Sequence, residues 1–194
     1  MTNILTIIKK ELKHYFNSPM AYIIIVAFLL ISSFLYWFTG GSFIAAKQAS
    51  LRNYYNVLPF LLLFIIPLIT MRLLAEEKQQ GTLELMVTLP LTDSQIILGK
   101  FFGAVAFYAV LLASTLPYPL VVSSVGALDW GAVIGSYLGI FLMGAGIIAL
   151  GLFISSLTNN QLISAVVSMI ISLGLFYLGY TGNFLPASLG GLFN

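Results

Sequence analysis

The chain has 194 residues, of which 60% are hydrophobic and 7% are charged. A soluble globular domain is roughly 45–50% apolar and about 25% charged, so this composition excludes a soluble globular enzyme. Because so little water-soluble surface remains, the formal net charge of +2 does not indicate a nucleic-acid-binding protein. The sequence has no cysteine, which excludes disulfides, thiolate metal sites and a thiol nucleophile.

Long uncharged stretches predict membrane spans. They cover residues 15–46, 53–71, 101–128 and 130–194. A spanning helix needs about 20 mostly apolar residues, so the first three stretches hold one span each and the fourth holds two. We therefore predict an all-α, polytopic helical membrane protein, with residues 1–194 forming a single transmembrane domain. The predicted spans are residues 19–38, 55–75, 96–120, 131–155 and 161–180.

Residues 1–18 predict an amphipathic helix before the first span. Its apolar side carries Leu5, Ile8, Leu12, Tyr15 and Phe16, and its polar side carries Lys9, Lys10, Lys13 and Asn17. This spacing is typical of a helix in the membrane interface with its basic face towards lipid head groups. A cytosolic extension of the first span is the alternative. Ser18 and Pro19 supply an N-cap and an N1 proline for the first span.

Local signals mark where the other spans begin and end. Pro67 removes an internal hydrogen bond and is expected to kink the second span. Thr92–Gln95 and Thr158–Gln161 have the capping-box spacing, which predicts the starts of the third and fifth spans. Asp129 is the predicted N-cap of the fourth span, and Pro117–Pro119 predicts the end of the third.

The distribution of basic residues predicts the orientation. With the N-terminus in the cytoplasm, the inner segments carry Lys9, Lys10, Lys13, Arg72, Lys78 and Lys100, and the outer segments carry Lys47 and Arg52. Lys and Arg are enriched on the cytoplasmic side, so this division favours an N-terminus inside. Five spans then place residues 181–194 outside as a tail.

Most catalytic chemistry is missing from the sequence. No Asp or Glu falls inside a predicted span, which argues against paired-carboxylate catalysis, a metal site and an acidic proton relay. The one histidine, His14, lies among lysines. Gly99-Lys100 is followed by Phe101 rather than Ser or Thr, so it is not a phosphate-binding loop. We predict a protein without catalytic residues or an ATPase site; an intramembrane enzyme is the least favoured alternative.

Small residues four apart predict close helix packing, because lipid gives helices no hydrophobic drive to associate. These positions are Gly99 and Gly103 on the third span, Gly131, Gly135 and Gly139 on the fourth, and Ser164, Ser168 and Ser172 on the fifth. For the serines, contact with a substrate is the alternative interpretation.

Residues 76–95 form the most informative segment, a predicted cytoplasmic loop. Gly81 is a candidate helix C-cap, Thr82–Leu89 allows about two helical turns, and Pro90 ends them. One side of these turns carries Leu85, Met86 and Leu89. A helix this short is marginal in water, so we predict that it is ordered in a groove on a cytosolic partner. A helix lying on the bilayer surface is the equally weighted alternative.

The run Glu76–Lys100 reads E-E-K-x-x-G-T-L-E-L-x-x-T-L-P-x-x-x-x-x-I-x-x-G-K. It resembles the loop between the second and third spans of type-2 ABC exporter permeases, most closely the gliding-motility and copper-site-maturation branch. The order of elements is similar over nearly the whole chain, including an S-S-L-T-x-N-Q turn at Ser155–Gln161. The loop motif is fairly specific, whereas the other similarities are not.

The resemblance implies that the loop is a coupling element that docks on a separate ATP-binding-cassette ATPase subunit. The matching positions are Glu76, Glu77, Gly81, Thr82, Glu84, Leu85, Pro90 and Lys100. The glutamates would pair with basic partner residues, with a solvated face as the alternative, and Leu85 and Met86 would supply buried area. ATP and magnesium would bind the ATPase, and this chain itself would need no cofactor.

The family's working unit has two permease subunits, identical or different, and two ATPases in a bacterial or archaeal cytoplasmic membrane. The function implied is export. A membrane scaffold that recruits a cytosolic partner without transport is the alternative. Family members usually have six spans and both termini inside, whereas this sequence stops after the fifth predicted span. We therefore expect a truncated or incomplete sequence that lacks the last helix.

Overall fold

The computed structural model describes residues 2–38, 51–82 and 92–181, which contain helices and turns and no β-strand. In chain order the helices are α1 (Thr2–Asn17), α2 (Pro19–Phe38), α3 (Arg52–Thr70), α4 (Ala75–Gln79), α5 (Asp93–Ala113), α6 (Pro117–Val125), α7 (Trp130–Leu157) and α8 (Gln161–Thr181). Five helical segments are long and apolar enough to cross a membrane, which confirms the predicted all-α polytopic class. Residues 182–194 of the predicted outer tail lie outside the described ranges.

The central helix of the described bundle is α3. It packs against α2, α7 and α8, while α5 packs mainly against α1 and also against α7. Leu58, Leu62 and Ile66 on α3 are almost completely buried. By contrast, Leu30 on α2 and Ile134 on α7 are 66% and 64% exposed. Apolar side chains on the outside of a bundle suit a lipid environment rather than water.

Two helix N-caps in the structure are the ones predicted from the sequence. Gln95 accepts a hydrogen bond from the Thr92 backbone N–H at 3.4 Å, as a capping box requires. Asp129 Oδ1 accepts from the backbone N–H groups of Gly131 (2.9 Å) and Ala132 (3.3 Å) and so caps α7. The predicted N-caps of the third and fourth spans are therefore present.

Two other predicted ends differ. The structure has a turn after Ala113 and then starts α6 at Pro117, because a proline at the first helical position loses no needed hydrogen bond. The third apolar segment therefore continues to Val125 instead of ending near residue 120. The cap of α8 is Asn160, whose Oδ1 accepts from the Leu162 N–H at 2.9 Å, and not Thr158. Thr158 instead accepts from the Asn160 N–H in the preceding turn.

The second span also differs from its predicted range of 55–75. It starts at Arg52 and continues through Pro59 and Pro67 to Thr70. A turn then separates it from the short helix α4. This break places α4 at the start of the predicted coupling loop, residues 76–95, and directly before its predicted helical turns at Thr82–Leu89.

Helix α1 packs against the bundle through part of the expected apolar side, since Tyr15 is buried and Leu12 and Phe16 pack against the core. It also packs through Ile7 and Glu11, which were not expected there. Ile7, Glu11 and Tyr15 are buried, whereas Leu5 is 58% exposed. The buried residues are four positions apart, as on one face of a helix, and they contact α5 rather than lipid. The predicted basic side, with Lys9, Lys10 and Lys13, is exposed.

At the end of the bundle opposite α1, aromatic side chains pack together. Tyr36 of α2 and Tyr118 of α6 both contact Tyr54 of α3, with ring centroids 5.4 and 5.2 Å apart in edge-to-face geometry. Tyr55 packs on Tyr137 of α7 at 5.7 Å. Edge-to-face contacts at these distances are favourable, so neutral aromatic packing joins four helices at this end.

We predict that Gly144→Ala destabilises the bundle by about 1–3 kcal/mol, because overpacking forces neighbouring groups to move. A Cβ at Gly144 would lie 2.3 Å from the phenol oxygen of Tyr108, which is fully buried and donates to the Ile140 carbonyl at 2.8 Å. Gly146→Ala on the same helix is the matched control, since its Cβ meets nothing within 4 Å. Thermal unfolding of both variants in detergent measures the difference; equal melting temperatures would contradict the packing argument.

Candidate functional site: the junction of α1, α4, α5 and α7

A buried ion cluster joins three helices at the end of the bundle where the predicted coupling loop starts. Lys100 of α5 is only 1% exposed. Its Nζ lies 2.9 Å from Glu11 Oε1 of α1 and 2.8 Å from Glu77 Oε1 of α4. A buried charge is costly unless it is paired and hydrogen-bonded. Lys100 therefore holds α1 and α4 against the start of α5.

Two glycines let α1 come close enough for this ion cluster to form. A Cβ at Gly99 would lie 2.6 Å from Ile7 Cγ2, and one at Gly103 would lie 2.7 Å from Glu11 Cβ. Real Cβ atoms do not approach other atoms so closely, so both positions require glycine at this spacing. The pair belongs to the contact between α1 and α5.

Helix α4 is capped from outside its own segment by α7. Ser155 Oγ accepts hydrogen bonds from the backbone N–H groups of Leu74 (3.1 Å) and Ala75 (3.0 Å). The same hydroxyl donates to the Met71 carbonyl at 3.3 Å. The first N–H groups of a helix have no partner within the helix, and here a serine from the fourth span supplies one. Lys78 adds a second link by donating to the Ser156 carbonyl.

The end of α3 is also fixed by its neighbours. Tyr15 of α1 donates its hydroxyl hydrogen to the Ile69 carbonyl at 3.0 Å. Burial raises the pKa of the Tyr15 phenol, and the negative charge of Glu11 raises it further, so the phenol stays protonated and remains a donor. On the opposite side, a Cβ at Gly151 of α7 would lie 2.2 Å from Thr70 Oγ1. Helix α3 therefore ends between α1 and α7.

Two carboxylate oxygens at the junction have no hydrogen-bond partner among the described residues. They are Glu76 Oε2 and Glu77 Oε2, and both are buried. Glu76 faces Arg72 across 3.9 Å, which is an ion-pair distance but not a hydrogen bond. An ionised carboxylate accepts several hydrogen bonds, so both groups can accept further donors.

Residues 5–183 match the family model described as "ABC-2 family transporter protein". The chain belongs to this family. It is also similar to the "probable ABC transporter permease protein NosY" of Pseudomonas aeruginosa, with 28% identity over 193 aligned positions. That alignment covers 89% of this chain and 66% of the relative, so the chain spans about two thirds of the relative's length. The family inferred from the Glu76–Lys100 motif is confirmed, whereas its narrower branch stays a prediction.

Several residues of the predicted coupling site lie at this junction of the ABC-2 family protein. Glu76 and Glu77 are on α4. Gly81 follows it with φ of +69°, the left-handed conformation that favours glycine after a helix, and Thr82 donates its hydroxyl hydrogen to the Glu77 carbonyl at 3.3 Å. Five further residues lie outside the described ranges: Glu84, Leu85, Met86, Leu89 and Pro90. Their role in binding an ATPase subunit stays a prediction.

The predicted packing residues fall into two groups. Gly131, Gly135 and Gly139 lie on an exposed face of α7, where a Cβ at the last two would meet nothing within 4 Å. This row therefore contacts no other helix within the described ranges. Ser164, Ser168 and Ser172 are buried on α8, which packs against α3 and α7. Ser172 donates to the Met169 carbonyl, whereas the other two hydroxyls have no partner in the described part of the chain.

Sequence analysis missed Glu11 and Ser155. Glu11 stands among lysines and resembles a surface residue, but it is four positions from both Ile7 and Tyr15, so its spacing places it on the buried stripe. Ser155 was noted only as the first residue of a turn motif. Its hydroxyl oxygen accepts hydrogen bonds from backbone N–H groups that lie 80 and 81 residues earlier in the chain. No local sequence pattern reveals such a contact.

Within the described ranges, no group of three or more His, Cys, Asp and Glu side chains is arranged to hold a metal ion. What the junction provides is a mechanical link. Through Lys100 and Ser155, the five-residue helix α4 is attached to α1, α5 and α7.

We predict that Lys100→Met releases α1 from α5, because two carboxylates would remain buried without a cation, at a cost of about 3–5 kcal/mol. Amide hydrogen exchange in α1 should rise, together with its susceptibility to limited proteolysis. Lys13→Met removes the same charge from an exposed position of α1 and should leave exchange unchanged. Adding Glu11→Gln to Lys100→Met should restore part of the protection; unchanged exchange in Lys100→Met would refute the role of the cluster.

Proposed function

We propose that this chain is a membrane-spanning permease subunit of an ATP-binding-cassette transporter, moved by a separate cytosolic ATPase subunit. Family membership and the similarity to the probable ABC transporter permease of Pseudomonas aeruginosa support this proposal. The observation that carries it is the attachment of α4, directly before the predicted coupling segment, to three other helices.

In this proposal the ATPase moves α4 and the attached helices follow. A displacement of α4 acts on α1 and α5 through the Glu77–Lys100–Glu11 ion pairs and on α7 through the Ser155 caps. A five-residue helix has almost no stability of its own, so its position depends on these contacts. Force on α4 is therefore passed on to the spans rather than absorbed within the loop.

The proposed docking surface combines charge with apolar area. The Glu76 and Glu77 side chains are 22% and 18% exposed, and basic side chains of an ATPase could pair with the exposed part of these carboxylates. Leu85, Met86 and Leu89 of the following segment would supply the buried apolar anchors of a helix-in-groove contact. Charge would then steer association while the apolar residues hold it.

The wider assembly follows from the family. Two permease subunits, identical or different, would work with two ATPases, which bind ATP and magnesium, in a cytoplasmic membrane with the N-terminus inside. The proposed direction is export. The spans carry almost no charge, so the proposed cargo is amphipathic or lipid-linked rather than a small ion.

The deciding experiment is reconstitution of the chain with a cassette ATPase encoded beside it, followed by measurement of ATP hydrolysis in proteoliposomes. We expect a stable complex with stimulated hydrolysis, and we expect Leu85→Asp with Met86→Asp to abolish both. Absence of association in the unchanged pair would refute the proposal. Association without stimulation or transport would favour the scaffold alternative.

A second variant pair tests transmission through α4. Ser155→Ala removes the cap that joins α7 to α4, which typically costs about 1 kcal/mol, so we expect the complex to form but hydrolysis and transport to become less tightly coupled. Ser156→Ala is the matched control, because its hydroxyl donates only to the Phe153 carbonyl one turn earlier among the described residues. Equal coupling in the two variants would show that the Ser155 contact transmits nothing.

The proposed orientation has its own test, since any introduced cysteine is unique in this chain. A membrane-impermeant maleimide should label Thr82→Cys only in inverted vesicles. The reciprocal control is Ala127→Cys, in an exposed turn between α6 and α7 at the opposite end of the spans, which should react in intact cells. Labelling of Thr82→Cys from outside would contradict both the orientation and the coupling mechanism.

A further inference from the structure

The exposed face of α1 carries positive charge without a compensating acid. Lys9, Lys10 and Lys13 are exposed, and Glu11, the one acidic residue of this helix, is buried against Lys100. Because Glu11 is held in the ion cluster, its carboxylate does not neutralise the positive charge of the exposed face. The charged residues on that face are therefore all basic.

A cleft lies at one end of this surface, where α1 meets α2 and the end of α3. It is lined by the polar residues His14, Ser18 and Arg72 and by the apolar residues Met20, Ile24 and Leu68, among others, and its interior of about 20 Å³ has room for about one water molecule. Leu68 is 38% exposed on the outer surface of the bundle. The first span begins at Pro19 and α3 ends at Thr70, so the cleft lies at head-group level, where a polar layer meets hydrocarbon.

The polar residues at the mouth of the cleft have unused hydrogen-bonding capacity. The Arg72 side chain is 31% exposed, and Glu76 Oε2 lies 3.9 Å from its Nε, too far for a hydrogen bond. A guanidinium has five N–H donors and suits the oxygens of a phosphate. Ser18 Oγ accepts from the Met20 N–H at 3.3 Å, which leaves its own hydrogen available.

We propose that this cleft binds one anionic phospholipid. The phosphodiester would lie over the mouth of the cleft, between the exposed His14 and the partly exposed Arg72, and one acyl chain would run along Leu68 into the bilayer. A soluble anion would use only the polar residues, whereas a lipid would also cover the exposed Leu68, so the combination favours a lipid. Lys13 lies next to His14 on the same exposed face and adds long-range attraction to an anionic head group.

This inference is independent of the proposed ATPase coupling, because it concerns binding to the isolated subunit. The experiment is native mass spectrometry of the purified chain in detergent, titrated in parallel with phosphatidylglycerol and phosphatidylcholine. We expect one phosphatidylglycerol to be retained at concentrations where phosphatidylcholine is lost. Equal retention of the two lipids would overturn the proposal.

Variants locate the site. Lys13→Gln and His14→Ala change exposed positions, so both variants should fold normally. Lys13→Gln should weaken retention of phosphatidylglycerol about fivefold, because one positive charge near the head group is lost. Arg72→Gln should weaken it at least as much. Arg52→Gln makes the same change at the opposite end of α3 and should have no effect; an equal loss there would mean a general charge effect and overturn the site.

A competitor separates a lipid from a free anion. Inorganic phosphate shares the charged group but has no acyl chain. We expect an excess of inorganic phosphate to leave phosphatidylglycerol bound. Displacement by phosphate alone would overturn the lipid assignment.

Discussion

The arrangement of the junction of α1, α4, α5 and α7 depends on the buried ammonium of Lys100. An uncompensated charge with 1% exposure would cost several kcal/mol, so the fold must bring carboxylates to it. It does so from α1 and from α4, helices that are far apart in the sequence. One charge thereby fixes the relative positions of three helices and makes α1 a packed part of the bundle rather than a helix resting only on lipid.

The middle of the bundle, where no charged residues meet within the described ranges, is held together differently from the junction. Lipid gives apolar helices no hydrophobic drive to associate, and there shape decides: the absent side chain of Gly144 admits Tyr108. At the junction, shape acts together with charge, because Gly99 and Gly103 admit α1 and Gly151 admits Thr70. There, Lys100 is paired with two carboxylates and Ser155 caps α4. The ion pairs of the described residues thus lie in the part from which α4 leads into the predicted coupling loop, whereas the opposite end uses hydrogen bonds between neutral side chains, such as Thr115 with Tyr137.

The sequence predicted most of the fold and part of the site: Glu77 and Lys100 were named and meet at the junction, whereas Glu11 and Ser155 were missed. Apolar length gave the five spans, and the caps at Thr92 and Asp129 depend on residues two or three positions apart. Pro117 was misread because the same residue can end one helix or begin another. The pair between Glu11 and Lys100 spans 89 residues, and its partners are chosen by helix packing, which periodicity alone does not encode.

Helix α1 links the two proposals because it uses opposite faces for them. Glu11 points to Lys100 and thus connects α1 to α4, while Lys13 and His14 lie on the exposed side near the cleft. Arg72 lies in the turn between α3 and α4 and is paired with Glu76 of α4, so the movement of α4 in the proposed mechanism would also displace Arg72 relative to the cleft between α1 and α2. Lipid binding and coupling are then linked by thermodynamic reciprocity: a lipid that binds one position of α1 better favours that position.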